Sequence, residues 1–298
     1  MSSKLAGSVM ERRNSATTEI DRLSTRDLLN VINQDDKSVS AAVTPYLDDI
    51  TRLVDSAVAT LNHGGRVVLV GAGASGRNAV IAANEYAPDE KSPLVGLIAG
   101  GALAMLHDMS DAAQDYNRGL LDLQAIGFTQ NDMLVALTVG GKTPWLWGAL
   151  RHAWSLGAAR AVITRNLSSE ATELADIVIT PQTGAEVVSG YGEPKALAAQ
   201  KMVLSMLTTG LAIRSGRVFS NMRVDIRHST TRMAERQIAV VMEASGCTRA
   251  MAKAALESCD HQCKTAILML LTGMDPWKAH ELLAQNNGFV RLALQEAP

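Results

Sequence analysis

Cysteine is scarce in this chain, three residues in 298. The odd, low count leaves no framework of paired bridges and suits a reducing compartment, so a cytoplasmic protein is expected. Aromatic side chains make up 4% of the residues, too few for stacking surfaces to dominate recognition of bases or carbohydrate. Charge of one sign is also missing: 28 Lys and Arg against 30 Asp and Glu give a net charge of -2, and no more than two basic residues stand together. That balance excludes the electrostatic footprint of a nucleic-acid partner. No apolar run reaches the length of a membrane span and no signal-peptide pattern opens the sequence, so no membrane partner is expected. The H-E-x-x-H, G-x-S-x-G and Walker lysine motifs are absent. Neither a cofactor nor a metal is called for.

What is present is a chain of 47% hydrophobic and 19% charged residues, enough for one substantial core and a smaller one. Its most informative stretch is residues 67–77, VVLVGAGASGR. An apolar run, Val67 to Val70, reads as a buried parallel strand. It meets a glycine-rich turn that opens a helix. Gly71, Gly73 and Gly76 permit close backbone approach, Ser75 offers a hydroxyl, and a helix N-terminus offers unpaired N–H groups to an anion. The turn fits G-x-G-x-x-G literally, but the acidic ribose partner expected some 20 residues on is missing, because the next strand ends in Ala-Gly-Gly. A phosphosugar is therefore preferred over a dinucleotide.

Strand-like runs recur at 67–70, 94–98, 133–139, 161–164 and 177–180, with helical segments between them. This is the βαβ rhythm of an α/β doubly wound parallel sheet flanked by helices. Helices are expected over 24–34, within 40–62 and over 194–216. After Ser245 three short helices follow (248–259, 262–271, 276–285) and a last amphipathic turn, with balanced charges. The expected division is an N-terminal helical segment 1–62, a sugar-phosphate domain 63–244 and a three-helix C-terminal domain 245–298. Ligands of such sheets bind beyond the strands' carboxyl ends, so the loops to inspect are 71–77, 99–101, 140–143 and 181–195. Cys259 and Cys263 would share a face of one continuous helix, but with only His261 nearby they read as core or interface thiols.

Several segments together carry a family resemblance: TEIDRLST (18–25), LVGAGASGR (69–77), VGLIAGG (95–101), GAEVVSG (184–190), AAQKMVLSMLTTGLAIRSGRVF (198–219), SGC (245–247) and CKTAI (263–267). The chain resembles the N-acetylmuramic acid 6-phosphate etherases, a branch of the sugar isomerase (SIS) fold that also includes the glucokinase regulatory protein. The resemblance implies an SIS-type sheet, a homodimer, and removal of D-lactate from C3 of an opened phosphosugar by elimination, followed by addition of water. Such chemistry wants two acid/base groups in different environments. Glu85 matches the family's acid. The second carboxylate falls on Ala113 or Gln114, neither of which takes a proton, and Asp115 is the substitute of choice, with Asp111 and His107 as others. Gly73, Ser75, Gly76 and Thr143 match phosphate contacts, and Lys142 adds charge. Glu186, a sugar-hydroxyl acceptor or a helix cap, and Lys195 match retained family residues.

The departures are as informative. The family's GAGTSGR has Ala74 here, its SGRTP has become Gly140-Gly141-Lys142-Thr143-Pro144, and its Ser, Ser/Thr, Arg, Met before the lysine is Tyr191-Gly192-Glu193-Pro194. Glu193 thus reverses a charge beside the expected pocket. These changes leave room for an altered sugar-acid ligand, and two further readings accompany the etherase: a non-catalytic sugar-phosphate sensor and an SIS-type aldose–ketose isomerase.

Overall fold

A computed structural model describes residues 12–87 and 92–297. Two compact units divide between Thr208 and Thr209. The boundary expected at 244/245 falls within the second unit, and the expected N-terminal segment belongs to the first. In the first unit, α1 (Thr25–Asp36), α2 (Ser38–Val43) and α3 (Leu47–Asn62) lead into β1 (Val67–Gly71), α4 (Gly73–Tyr86) and β2 (Leu94–Ile98). Then come α5 (Tyr116–Ala125), β3 (Met133–Leu137), α6 (Pro144–Ser155), β4 (Ala159–Ile163), α7 (Glu170–Glu173), β5 (Ile177–Ile179) and α8 (Pro194–Arg214), within which the units divide.

The five strands form one parallel sheet in the order β2-β1-β3-β4-β5. Gly71 pairs with Ile98 and Leu137, and Leu137 with Ile163, so the carboxyl ends of four strands lie level. The winding reverses between β1 and β3, which opens a crevice there. Every residue of β1 and β3 is buried, as central parallel strands must be. Each fully buried Val or Leu contributes roughly 1.5–3 kcal/mol. Helix spacing supplies the covering layers: Ile50, Leu53 and Ala57 of α3, and Trp145, Leu146, Ala149, Leu150 and Ala153 of α6, are buried. The Trp145 indole N–H, brought into this core, donates to the Asp122 carboxylate at 2.9 Å. β4 starts two residues earlier than its apolar run because Arg160 is satisfied inside it. Its guanidinium donates to Asp176 at 2.7 Å and to the Leu174 carbonyl at 2.8 Å. α8 has the length and apolar composition to cross a membrane, but Ala199, Val203, Leu204 and Leu207 are buried in the protein.

The second unit holds a short hairpin, β6 (Val218–Phe219) and β7 (Met222–Arg223), and five helices. These are α9 (Thr231–Ser245), α10 (Arg249–Ser258), α11 (Cys263–Thr272), α12 (Pro276–Gln285) and α13 (Val290–Glu296). The three helices expected from sequence are α10 to α12, and α9 and α13 enlarge the bundle. Thr230, Thr248 and Asp275 cap α9, α10 and α12 by accepting from backbone N–H groups. Gly246 and Gly273, at φ +68° and +75°, end α9 and α11.

Candidate active site

Two loops leave the adjacent carboxyl ends of β1 and β3. In the first, the three glycines do different work. A Cβ at Gly71 would lie 2.8 Å from the Gly76 amide nitrogen, and one at Gly76 would lie 2.5 Å from Ile98 Cγ1 and 2.6 Å from the Gly71 carbonyl oxygen. Those two glycines let helix and strand touch. Gly73 instead turns the chain at φ +53° with open space beside it. Ala72, at the N-cap of α4, has no side chain to satisfy the first-turn amides, so they are available to an anion beside the buried Ser75.

In the second loop, Thr138 Oγ1 accepts from the Gly141 amide at 3.1 Å and lies 3.4 Å from Thr143 Oγ1. Thr143 occupies the N-cap of α6 without capping it. Asn166 and Trp147 hold the loop through the carbonyls of Gly140 and Gly141, at 2.9 and 3.0 Å. Lys142 is exposed. Hydroxyls and amides, rather than a buried cation, line this part of the crevice.

Beyond β4 and β5 lies a charged cluster. Glu186 is buried and accepts from the Lys195 and Ala196 amides at 3.1 and 3.3 Å. Of its two expected roles, it performs the helix cap, at the start of α8. The buried Lys195 ammonium pairs with Asp35 of α1 at 2.7 Å. Arg165, which no sequence motif marked, follows β4 and is 4% exposed. Its Nη1 donates to the Gly184 carbonyl at 3.0 Å and lies 3.7 Å from Glu186. Half-buried Glu193 has its carboxyl pushed above the usual range by burial; Arg165 opposes this and Glu186 adds to it. Asn78 of α4 donates to the Leu197 carbonyl at 3.2 Å, which ties the first turn of α8 to the glycine loop's helix.

The two expected catalytic carboxylates stand apart from this crevice. Glu85 is exposed in the last turn of α4 and pairs with Lys201. At 1.5 Å per residue it is about 15 Å along the helix from Ser75. Asp115 caps α5, accepting from the Arg118 amide at 2.9 Å. It borders a cavity of about 680 Å³ whose other walls include Gly96, Gly100 and Trp145. Asp111 and His107 are exposed. Arg77, the last residue of the glycine-loop motif, donates to the Ala104 and His107 carbonyls at 3.1 and 3.2 Å and so holds the segment before Asp115 against α4. No helix runs through both Cys259 and Cys263, because Asp260 and His261 between them adopt φ +52° and +57°. Burial pushes both thiols up, Cys263 to about 12, and among the described residues no cluster of His, Cys, Asp or Glu is arranged to hold a metal.

A protein from Klebsiella aerogenes named N-acetylmuramic acid 6-phosphate etherase is 44% identical over 297 residues, 99% of each chain. One of the same name from Aliivibrio fischeri (strain MJ11) is 45% identical over 295 residues, 98% of each. This chain belongs to the N-acetylmuramic acid 6-phosphate etherase family. Residues 49–154 match the family "Glucokinase regulatory protein N-terminal SIS domain". Among solved structures, a putative phosphosugar isomerase involved in capsule formation from Bacteroides fragilis NCTC 9343 is similar at a TM-score of 0.50. It is 20% identical and covers 65% of this chain and 94% of that one, a likeness of fold.

Proposed function

We propose that the chain is an N-acetylmuramic acid 6-phosphate etherase, a carbon–oxygen lyase that releases D-lactate and leaves N-acetylglucosamine 6-phosphate. The observation that carries this reading is identity of 44–45% to etherases over essentially the whole chain. The geometry supports it. The α4 N-terminus with Ser75, and the Thr138–Thr143 hydroxyl pair, suit a phosphate dianion at the switch point of the sheet. With the sugar opened, its aldehyde acidifies the C2 proton. A carboxylate takes that proton, the C3–O bond breaks, and a carboxylic acid protonates the departing lactate oxygen. Water then adds across C2 and C3, placing hydroxyl at C3 and hydrogen at C2. In this reading Glu85 is the acid and Asp115 the base. Gly73, Ser75, Gly76 and Thr143 hold phosphate, while Glu186 and Lys195 fix α8 beside it. Because Glu85 is far from Ser75 along its own helix, we infer a homodimer in which Glu85 serves the crevice of a second copy.

Purified protein incubated with N-acetylmuramic acid 6-phosphate in deuterated water is expected to release D-lactate and carry deuterium at C2 of the product. Deuterium exchange without lactate would instead indicate isomerase-like chemistry. Folded protein giving neither signal would refute the etherase assignment.

A further inference from the structure

Arg165 has a side of its guanidinium with nothing to bind. Nη1 is used by Gly184, but Nε and Nη2 have no hydrogen-bond partner among the described residues. These two N–H groups form the side-on fork that grips both oxygens of a carboxylate or phosphate. Arg151 turns the same two nitrogens toward a carboxylate, both donating to Oε1 of Glu170, at 2.9 and 2.6 Å. Glu186 and the Gly184 carbonyl engage only Nη1, and buried N–H groups left unsatisfied are costly, so the two free N–H groups point to a ligand. Thr183 repeats the pattern. Its hydroxyl is buried without a partner, and its neighbours on both sides bind Arg165: Gln182 donates to the Arg165 carbonyl at 2.9 Å, and Gly184 accepts from the guanidinium.

The position is right for a second anion. The Arg165 amide donates to the Val139 carbonyl at 3.1 Å, so it stands beside the Thr138–Thr143 loop, one strand over on the same edge of the sheet. The neighbouring charges are already engaged. Glu186 is held by the α8 amides and Lys195 by Asp35. Glu193, half-buried, interacts electrostatically with Arg165. Segment 184–193 supplies Gly184 and Glu186 to Nη1; its Gly184, Gly190 and Gly192 sit at φ +73°, +81° and +117°, and its Tyr191 is 88% exposed.

We propose that the free fork of Arg165, with the Thr183 hydroxyl, seats the carboxylate of the substrate's lactyl group, beside segment 184–193, making Arg165 a specificity-determining residue. Glu193 competes for that fork as an internal carboxylate, and a bound lactyl carboxylate displaces it. This rests on the etherase reading, since it is the lactyl ether that supplies the second anion. It differs from an ordinary phosphate site, which the same fork also suits, and three ligands separate the two. N-acetylmuramic acid 6-phosphate carries both anions, N-acetylglucosamine 6-phosphate only phosphate, and N-acetylmuramic acid only the carboxylate.

Arg165→Lys keeps the charge and removes the fork. It is expected to lower kcat/KM for N-acetylmuramic acid 6-phosphate about 10- to 100-fold and to weaken inhibition by N-acetylmuramic acid about 10-fold. Inhibition by N-acetylglucosamine 6-phosphate should stay within about twofold. Glu193→Gln, which removes the competitor and leaves the fork intact, should tighten N-acetylmuramic acid several-fold and flatten the pH dependence of that binding. Equal losses for both inhibitors in the lysine variant would assign the fork to phosphate or to the fold and overturn the proposal, as would weaker carboxylate binding in Glu193→Gln. A wild-type protein without turnover would sink the etherase reading itself. Turnover with no carboxylate-selective effect would sink only the seat.

Discussion

Asp132 is 4% exposed and still ionised, because everything around it is a donor. Oδ1 accepts from the Arg66 amide at 2.7 Å, and Oδ2 from the Arg66 guanidinium and the Thr129 amide at 2.9 Å each. Burial pushes its carboxyl up, but the Arg66 guanidinium and the two amides outweigh that and hold it below its ordinary value of 3.8. The Arg66 carbonyl also accepts from Met133 at 2.8 Å, so this clamp joins the amino ends of β1 and β3 and fixes the register that presents their two loops together. A carboxylate depressed in the folded state stabilises it above the unfolded pKa, and the benefit is lost as pH falls through the folded value. Asp132→Asn should therefore cost about 1–3 kcal/mol at pH 7 by urea unfolding, and the gap to wild type should narrow steadily below pH ~4. A difference unchanged at pH 3 would show that shape, not charge, is what matters. Neither this clamp nor Arg165 was visible in the sequence. A single arginine bordering an apolar strand has no periodic signature, and its partner is set by the register of strands far apart in the chain.

The strand–turn–helix unit from β1 to α4 was legible almost residue by residue, because a buried parallel strand needs an unbroken apolar run and its turn needs glycine. The sequence did not reveal that the glycines differ. Gly76→Ala would drive a methyl into the Gly71 carbonyl and Ile98, at 2.6 and 2.5 Å, and backbone cannot yield there without moving β1. A loss of about 1–3 kcal/mol or more is expected from such overpacking, with activity falling as the loop shifts. Gly73→Ala meets no atom within 4 Å and should cost only about 1–2 kcal/mol, the strain of a left-handed residue. Thermal unfolding and lactate release of the two variants test the distinction. Equal damage would mean the close approach of helix and strand is not the constraint. Where elements were misplaced, local chemistry had been overridden. β4 extends over Arg160 because Asp176 and two carbonyls satisfy it. The break expected between helices 248–259 and 262–271 is present, and positive φ at Asp260 and His261, residue types that adopt it more readily than most, makes it. α9 escaped notice although Thr230 and Gly246 bound it and Ile238 and Val241 supply its buried face.

At the scale of the whole molecule, the two carboxylates expected to do chemistry are the part that a single chain leaves unexplained. Glu85 projects from the far end of α4 beside Ile81, which is 41% exposed. The glycine-rich turn with Ser75 lies at the near end, about 15 Å away. A helix is too stiff to bring its own ends together, so Glu85 works on bound sugar only if a second copy places its crevice against this surface. An isologous pair provides that arrangement twice. The consequence is measurable by mixing two variants. Glu85→Gln lacks the acid and Ser75→Ala weakens the phosphate seat, so each homodimer should be nearly inactive. If every site takes Glu85 from one chain and Ser75 from the other, each mixed dimer contains one site with both residues intact. Subunit exchange at equal amounts makes about half the dimers mixed, and about a quarter of wild-type lactate release should return. If both residues act from the same chain, every site keeps one defect and mixing restores nothing. Size exclusion run alongside must show a dimer that exchanges. A monomer with full activity would remove the shared site altogether, and the acid would then have to be sought among the carboxylates already lining the crevice, with Glu193 first.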